Sequence, residues 1–187
     1  MAGSSEDSKT RFRFEPLDTA RHNRAAFSCE HERLNRYLKE QANQEVKKRV
    51  AAVYILTPDG RTIAGYYTLS QYAIDAGEFP ADAAKRLHVP QYDKLPATLL
   101  GRLARSLESK GKGVGELLLI GALKRSLEHS RNIASFAIVV DAKDDNARRF
   151  YTAYGFIDLA DHPNRLFIPM RTVAELFPEV HWAAPKR

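Results

Sequence analysis

The first half of the chain combines one segment of helical periodicity with two segments of strand character. From Glu30 to Arg49 apolar residues recur every three or four positions, which predicts an amphipathic helix with Ser28 as its N-cap. Those apolar residues are Leu34, Tyr37, Leu38, Ala42 and Val46. The segments Ala51–Thr57 and Thr62–Ser70 are rich in β-branched and aromatic residues and flank a Pro58-Asp59-Gly60 turn, which predicts a hairpin.

The second half of the chain alternates strands with helices. A connection over residues 79–96 contains three prolines around one short helical segment, and a glycine-rich turn precedes the longest helix. The predicted elements are a helical segment Ala81–Leu87, a strand Ala97–Arg105, a helix Val114–Ser130, a strand Ile133–Ala142, a short helix within 144–155 that Gly155 closes, a strand Leu166–Met170 and a helical turn near Ala174.

This order of elements predicts an α/β fold with one sheet of mixed strand directions. The strand, helix and strand from Ala97 to Ala142 form a right-handed crossover unit, which makes those two strands parallel. No repeat or Gly/Ser-rich linker divides the chain, so we expect a single domain over 12–187 after a disordered N-terminal tail, 1–11.

Composition narrows the class of protein. The 187 residues are 44% hydrophobic and 28% charged, which is typical of a globular protein and excludes disordered and collagen-like chains. Cys29 is the only cysteine, so an internal disulfide or a multi-thiolate zinc site is excluded. The six histidines show no paired ligand spacing, and we expect no metal.

Charge and hydropathy bear on partners and location. The longest strongly apolar stretch, Leu117–Leu123, has seven residues, whereas a bilayer span needs about 20. The first ten residues, MAGSSEDSKT, lack the apolar core of a secretion signal, so we expect a cytoplasmic protein without a membrane partner. A net charge of +6 (29 basic minus 23 acidic residues) suggests anionic partners without choosing between nucleic acid, membrane and phosphorylated cofactor.

The segment KGKGVG carries the clearest chemical signal. Its residues are Lys110, Gly111, Lys112, Gly113, Val114 and Gly115, between a predicted strand and a predicted helix. Alternating glycines permit positive φ and close approach of a ligand, while the helix start and the lysines favour an anion. The P-loop pattern is absent, and the dinucleotide pattern fails because Glu116 stands where its third glycine belongs. A pyrophosphate cradle is predicted, and a simple turn is the alternative.

Two segments of this sequence resemble GNAT acetyltransferases. Lys110, Gly113 and Gly115 match a basic residue followed by two spaced glycines, which resembles the acetyl-CoA pyrophosphate loop of that family. The segment ARRFYTAYGF over 147–156 is similar to the late GNAT helix that carries a tyrosine, here Tyr151. A phenol of pKa about 10 stays protonated at neutral pH and can protonate a leaving thiolate. The alternative is that Tyr151 is a core aromatic residue.

Further blocks make the sequence similar to the GNAT toxins of type II toxin–antitoxin modules, over Phe12 to Phe177. They are Phe27–Gln41, Gly65–Ser70, Leu95–Ser106, Asp141–Tyr151 and Phe167–Met170. The resemblance implies a mostly antiparallel sheet flanked by helices, with a central β-α-β unit for acetyl-CoA. It implies acetyl transfer to the α-amine of aminoacyl-tRNA, arrest of translation, an antitoxin of the ribbon-helix-helix type and a homodimer.

The resemblance also assigns residues. It gives Leu103, Ala104 and Arg105 the backbone contacts to pantetheine, residues 110–115 the pyrophosphate, and Tyr151 the role of general acid. Asn146 and Asp144 both stand near the position of a GNAT cofactor contact, and the choice between them stays open. Four basic residues are candidates for tRNA contacts, with solvated surface as the alternative: Lys85, Arg86, Arg148 and Arg149. No carboxylate stands out as general base, so water is expected to accept the amine proton.

Two other functions remain open at this point. One is a GNAT enzyme that acetylates a small amine or a protein N-terminus and has no toxic role. The other is a module that binds a nucleotide or nucleic acid without chemistry, for which Tyr151→Phe would change nothing.

Overall fold

Seven strands form one sheet, in the order β1-β2-β3-β4-β5-β7-β6, in the computed structural model, which describes residues 11–180. The strands are β1 (Arg13–Pro16), β2 (Ala52–Thr57), β3 (Gly65–Asp75), β4 (Lys94–Arg105), β5 (Ala137–Asp141), β6 (Ile157–Asp158) and β7 (Arg165–Pro169). Every neighbouring pair is antiparallel except β4 and β5, which are parallel. The prediction of a mixed, mostly antiparallel sheet is confirmed.

Within residues 11–180, six helices flank the sheet. They are α1 (Glu32–Arg36), α2 (Ala42–Lys47), α3 (Ala81–Leu87), α4 (Val114–Ser130), α5 (Asp145–Ala153) and α6 (Met170–Leu176). A π-helical turn, Tyr37–Gln41, joins α1 to α2, so the predicted helix of the first half is one interrupted helical stretch. The bounds predicted for α3 and α4 are confirmed. The predicted disordered tail, 1–11, lies outside the described residues except for Arg11.

The prediction of Ser28 as a helix N-cap was wrong. The N-cap of α1 is His31, whose side chain makes no capping hydrogen bond. The carbonyl of Ser28 instead accepts a hydrogen bond from the backbone N–H of Leu107, at 2.9 Å. This contact holds the segment before α1 against the turn that follows β4, so the N-cap lies three residues later than predicted.

Buried side chains fill the space on both faces of the sheet. On one face α4 presents Leu118, Leu119 and Leu123 to the strands. On the other, Tyr37 and Leu38 of the π-helical turn pack with Ile55, Tyr66 and other residues of β2 and β3; the Tyr37 and Tyr66 rings stack with centroids 6.1 Å apart. These contacts fix the two helical layers between which β4 and β5 run.

The parallel strands β4 and β5 are in register over only part of their length. Ala97–Leu100 of β4 pairs with Ala137–Val140 of β5, but β4 continues to Arg105. The register of β4 against β3 shifts at this point, since Thr68 pairs with Arg102 and Leu69 with Leu100. Past Leu100 the two parallel strands therefore diverge. Within the described part of the chain, the backbone of residues 101–105 has no strand partner on the β5 side.

Candidate functional site

A cavity of about 460 Å³ opens where β4 and β5 diverge. Its walls come from β4, from the segment before α1, from the end of β5 and from α5. Six of the residues assigned to the site from the sequence line it: Leu103, Ala104, Arg105, Gly115, Asn146 and Tyr151. The fold therefore brings together the strand, the helix start and the tyrosine, which lie up to about fifty residues apart in the chain.

The glycine-rich loop leads directly into the first turn of α4. Gly111 and Gly113 have φ angles of 76° and 70°, a conformation that favours glycine, and Gly113 is the N-cap of α4. A Cβ at either of these positions or at Gly115 would meet no atom within 4 Å, so the space beside the loop and the start of α4, where helix N–H groups lack intrahelical partners, is open. Val114 points the other way and is fully buried, which anchors the loop. This geometry fits a pyrophosphate group.

The cations beside the loop are paired with a carboxylate from the segment before α1. Lys110 Nζ lies 3.2 Å from Glu30 Oε1, and an Arg105 guanidinium nitrogen lies 3.4 Å from the same oxygen. The hydrogen bond from Lys110 and the charge of Arg105 hold the pKa of Glu30 below its usual range. Two positive groups thus already hold an anion next to the loop, while Lys112 lies exposed on the loop itself.

Tyr151 lies in α5 and turns its side chain into the protein. Its ring packs against Phe150 and Phe156, with centroids 5.4 and 5.3 Å away, and the residue is 7% exposed. Burial raises the pKa of the phenol well above its usual value, so the hydroxyl keeps its proton at neutral pH. Within residues 11–180 that hydroxyl makes no protein hydrogen bond, and the side chain lines the cavity. A proton donor therefore faces the cavity.

The local sequence explains why α5 holds this position. Asp144 is its N-cap and accepts a hydrogen bond from the Ala147 N–H at 2.7 Å, a bond that lowers the pKa of its carboxyl group. Gly155, with φ of 88°, follows the last turn as predicted. Asn146 accepts a hydrogen bond from Arg149. Asp144 and Asn146 both line the cavity, so the assignment of the cofactor contact to one of them stays a prediction.

The four basic residues assigned to tRNA do not line the cavity. Lys85 and Arg86 lie exposed in the last turn of α3. Arg148 donates to the carbonyl of Pro163 and to Asp158 Oδ2, both at 2.6 Å, so its guanidinium is engaged within the fold. Arg149 is exposed on α5. Their contact with RNA stays a prediction.

Several cavity residues had not been identified from the sequence. Lys143 follows β5, and partial burial lowers the pKa of its ammonium group. Arg102 lies over the Tyr37 ring, with its guanidinium carbon 3.5 Å from the centroid, and pairs with Glu45 at 3.5 Å. Cys29, Glu30 and His31 complete the wall opposite Tyr151. A usable signal existed for Lys143, because side chains just past the carboxyl end of a parallel strand commonly meet ligands.

Two further properties of residues 11–180 concern metals and membranes. No group of three or more His, Cys, Asp or Glu side chains in this part of the chain is arranged to hold a metal ion. None of its helices is both long enough and apolar enough to cross a bilayer.

A sheet whose parallel strands part above a glycine-rich helix start, with a buried protonated tyrosine facing the gap, defines an acetyltransferase of the GNAT fold. Comparison with known proteins agrees. AtaT complexed with acetyl-methionyl-tRNAfMet has a TM-score of 0.81 at 28% identity, over 89% of this chain and 99% of that one. A tyrosine-to-phenylalanine variant of AtaT, bound to the C-terminus of the antitoxin AtaR and acetyl-CoA, has a TM-score of 0.76 at 26% identity, over 90% and 99% of the two chains.

Sequence relatives give the same result. The probable toxin TacT of Sinorhizobium fredii is 30% identical over 170 residues, which are 87% of this chain and 93% of that protein. A tRNA-acetylating toxin of Mycobacterium tuberculosis is 30% identical over 151 residues, 81% of this chain and 88% of that protein. No family model matches the chain. The chain belongs to the family of GNAT acetyltransferase toxins that includes TacT and AtaT.

Proposed function

We propose that this protein is a toxin that transfers the acetyl group of acetyl-CoA to the α-amine of aminoacyl-tRNA and thereby blocks translation. The observation that carries the proposal is the placement of a protonated, buried Tyr151 in one cavity with the β4 backbone and the start of α4. The relatives extend it, because one is a tRNA-acetylating toxin and AtaT is solved with an acetylated aminoacyl-tRNA.

The donor side is assigned to backbone groups and to the loop. The stretch of β4 that has no β5 partner supports a role for Leu103, Ala104 and Arg105 in hydrogen bonding the amides of pantetheine. The open space around Gly111, Gly113 and Gly115 supports a role for the loop in binding the pyrophosphate, with Lys110 and Lys112 supplying positive charge. Bound there, acetyl-CoA supplies an acetyl group already activated as a thioester.

Tyr151 is proposed as the general acid. Once the acceptor amine attacks the thioester carbonyl, the departing sulfur becomes a thiolate that needs a proton. The buried phenol has that proton at neutral pH, and its hydroxyl is not committed to a protein acceptor within the described residues. An aminoacyl α-amine ionises near neutral pH, like an α-amino group at about 7.7–8.0, so water suffices to accept the amine proton.

On the acceptor side, we propose that basic residues outside the cavity contact the RNA. Lys85 and Arg86 are exposed, and Arg149 is exposed although it donates to Asn146, so all three can meet phosphates, whereas the contacts of Arg148 favour a structural role. Because ribosomes use aminoacyl-tRNA in the cytoplasm, the proposed reaction would take place there. A small amine or a protein N-terminus as acceptor is the alternative, and the acceptor assay below separates the two.

The proposed partner is an antitoxin of the ribbon-helix-helix type, and the proposed assembly is a homodimer. The complex of AtaT with the C-terminus of AtaR supports an antitoxin as partner. The antitoxin class and the dimer rest on the resemblance to GNAT toxins alone. Light scattering on the purified protein tests the dimer, and a monomer at micromolar concentration would exclude it.

Transfer of labelled acetyl from acetyl-CoA to a mixed pool of charged tRNAs tests the function. Labelled aminoacyl-tRNA is expected with wild type, and hydrolysis of the ester identifies the amino acid. Uncharged tRNA, free amino acids and N-terminal peptides serve as alternative acceptors. Label on peptides or small amines but not on charged tRNA would overturn the proposal. In cells, growth arrest that Tyr151→Phe abolishes is expected, since arrest requires the reaction.

A further inference from the structure

Lys143 occupies a fixed place at the mouth of the cavity. It follows Ala142, whose N–H donates to the carbonyl of Asn164 at 2.7 Å, and it precedes Asp144, which caps α5. The backbone is therefore anchored on both sides of the lysine. Its side chain lines the same cavity as Tyr151, on the wall formed by the end of β5.

The amine of Lys143 differs from the other lysines near the surface in its surroundings. Lys143 is the one lysine of residues 11–180 that lines this cavity; like Lys48 it has no carboxylate within 4.0 Å, whereas Lys110 at the loop is paired with Glu30. The adjacent carboxylate of Asp144 is engaged in capping α5. Although the residue is exposed overall, surrounding atoms partly bury its ammonium, which lowers the pKa of Lys143 against the opposing charge of Asp144. A larger fraction of its amine is neutral and nucleophilic than for an ordinary lysine.

We infer that Lys143 is a self-acetylation site, modified by donor bound in the protein's own cavity. This inference rests on the proposed function, because it uses the same donor and the same Tyr151. The neutral Nζ attacks the thioester carbonyl, a bond forms between Nζ and the acetyl carbon, and the carbon–sulfur bond breaks. The extra proton on Nζ passes to water, and the thiolate takes the proton of Tyr151, which water then restores.

Two other nucleophiles near the cavity are less suited. The Cys29 thiol also lines the cavity, but burial raises its pKa and it donates to the His31 carbonyl, with the sulfur 3.4 Å from the oxygen. It therefore stays a protonated thiol. Lys110 is held by Glu30 at the loop, on the side assigned to the pyrophosphate. Of these three nucleophiles, Lys143 alone combines an unpaired amine with a position on the cavity wall.

Self-acetylation would change the acceptor side of the cavity. The modification removes one positive charge and adds an acetyl group to the wall of the cavity that the aminoacyl end is proposed to enter. We therefore expect acetylated protein to transfer acetyl to tRNA more slowly than unmodified protein. The toxin would limit its own activity when charged tRNA is scarce and donor is plentiful.

The test is peptide mass spectrometry after incubation of the full chain with acetyl-CoA and no tRNA. One added acetyl group is expected on Lys143, in roughly tenfold excess over the exposed Lys48 on the same protein. The rate constant should not change on dilution, because the reaction is intramolecular. Tyr151→Phe should lose the label, and Lys143→Arg should lose it while the protein remains folded. Equal label on Lys48 and Lys143, or label that survives in Tyr151→Phe, would overturn the inference.

A second readout needs no acetyl-CoA. Competitive labelling with trace N-hydroxysuccinimide acetate over a pH series measures the reactivity of each lysine, and the amine of Lys143 should become reactive at a pH below that of an ordinary lysine, about 10.4. A midpoint at or above that pH would overturn the argument for a neutral amine. A charged-tRNA assay on the same sample separates the two hypotheses. Acetylated tRNA without label on Lys143 refutes self-acetylation alone, whereas no product on either acceptor refutes the proposed function as well.

Discussion

Replacing Tyr151 with phenylalanine removes one hydroxyl and keeps the ring that packs against Phe150 and Phe156. Because that hydroxyl has no protein hydrogen bond within the described residues, we expect the free energy of unfolding to change by less than about 1 kcal/mol. Loss of a general acid lowers a rate by about 10²- to 10⁴-fold. At 1.36 kcal/mol per tenfold, that is about 3–5 kcal/mol of transition-state stabilisation.

The assay is single-turnover transfer to charged tRNA, with urea unfolding and calorimetric acetyl-CoA binding on the same preparations. Tyr154→Phe is the matched control, because it removes the same group from the C-cap residue of α5, three residues further on, whose side chain does not line the cavity. Both variants are expected to fold normally and to bind acetyl-CoA with normal affinity. Only Tyr151→Phe should show a large loss of rate.

The pH profile adds a separate check. Burial raises the pKa of Tyr151, so ionisation of this phenol should not reduce the wild-type rate below about pH 10. Two results would refute the assignment: a rate for Tyr151→Phe within a few-fold of wild type, or an equal loss in Tyr154→Phe. Either would return Tyr151 to the role of a core aromatic residue.

Three further predictions follow from contacts at and near the site. Glu30→Gln should tighten acetyl-CoA binding several-fold in calorimetry, because it frees Lys110 and Arg105 for the pyrophosphate; Glu108→Gln is the charge-matched control, and weaker binding would contradict it. Gly65→Ala should lower the free energy of unfolding by about 1–3 kcal/mol in urea, since its Cβ would lie 2.9 Å from the Ala104 carbonyl oxygen; Gly77→Ala, in open space, should not. Burial raises the pKa of Tyr67 to about 12, so the folded state keeps a proton that the unfolded chain loses above about pH 10. This group should therefore lower the free energy of unfolding by about 1.4 kcal/mol per pH unit between about pH 10 and 12. A free energy of unfolding, measured in urea, that stays constant over that range would count against this.

Helices whose bounds depend on residues close together in the chain were predicted well from the sequence. The bounds of α3 and α4 follow from apolar periodicity and flanking prolines or glycines, and the end of α5 follows from Gly155. Strands β1 and β6 were missed. They have four and two residues, too few for alternation to show, and they exist through pairing with β2 and β7.

The same distinction applies to the site. The glycine-rich loop and Tyr151 carry short motifs, and the fold brings Gly115 of that loop and Tyr151 to one cavity. The ion pair of Glu30 with Lys110 joins residues eighty positions apart, and the hydrogen bond that displaces Ser28 from the N-cap comes from the turn after β4. Such contacts depend on packing of distant segments, which spacing within one sequence does not encode. Lys143 carried no motif; its position just past the carboxyl end of β5 was its one sequence signal, and the cavity wall shows its place.

The early end of the β4–β5 pairing leaves an internal edge within the sheet, at residues 101–105. An edge of this kind presents backbone groups that a ligand can complete as a neighbouring strand would. Acetyl-CoA bound at this edge would be a structural component as well as a reactant. At a free concentration of a hundred times its Kd, acetyl-CoA would stabilise the folded state by about 2.7 kcal/mol. Resistance of this toxin to unfolding and proteolysis would then report the acetyl-CoA supply of the cell.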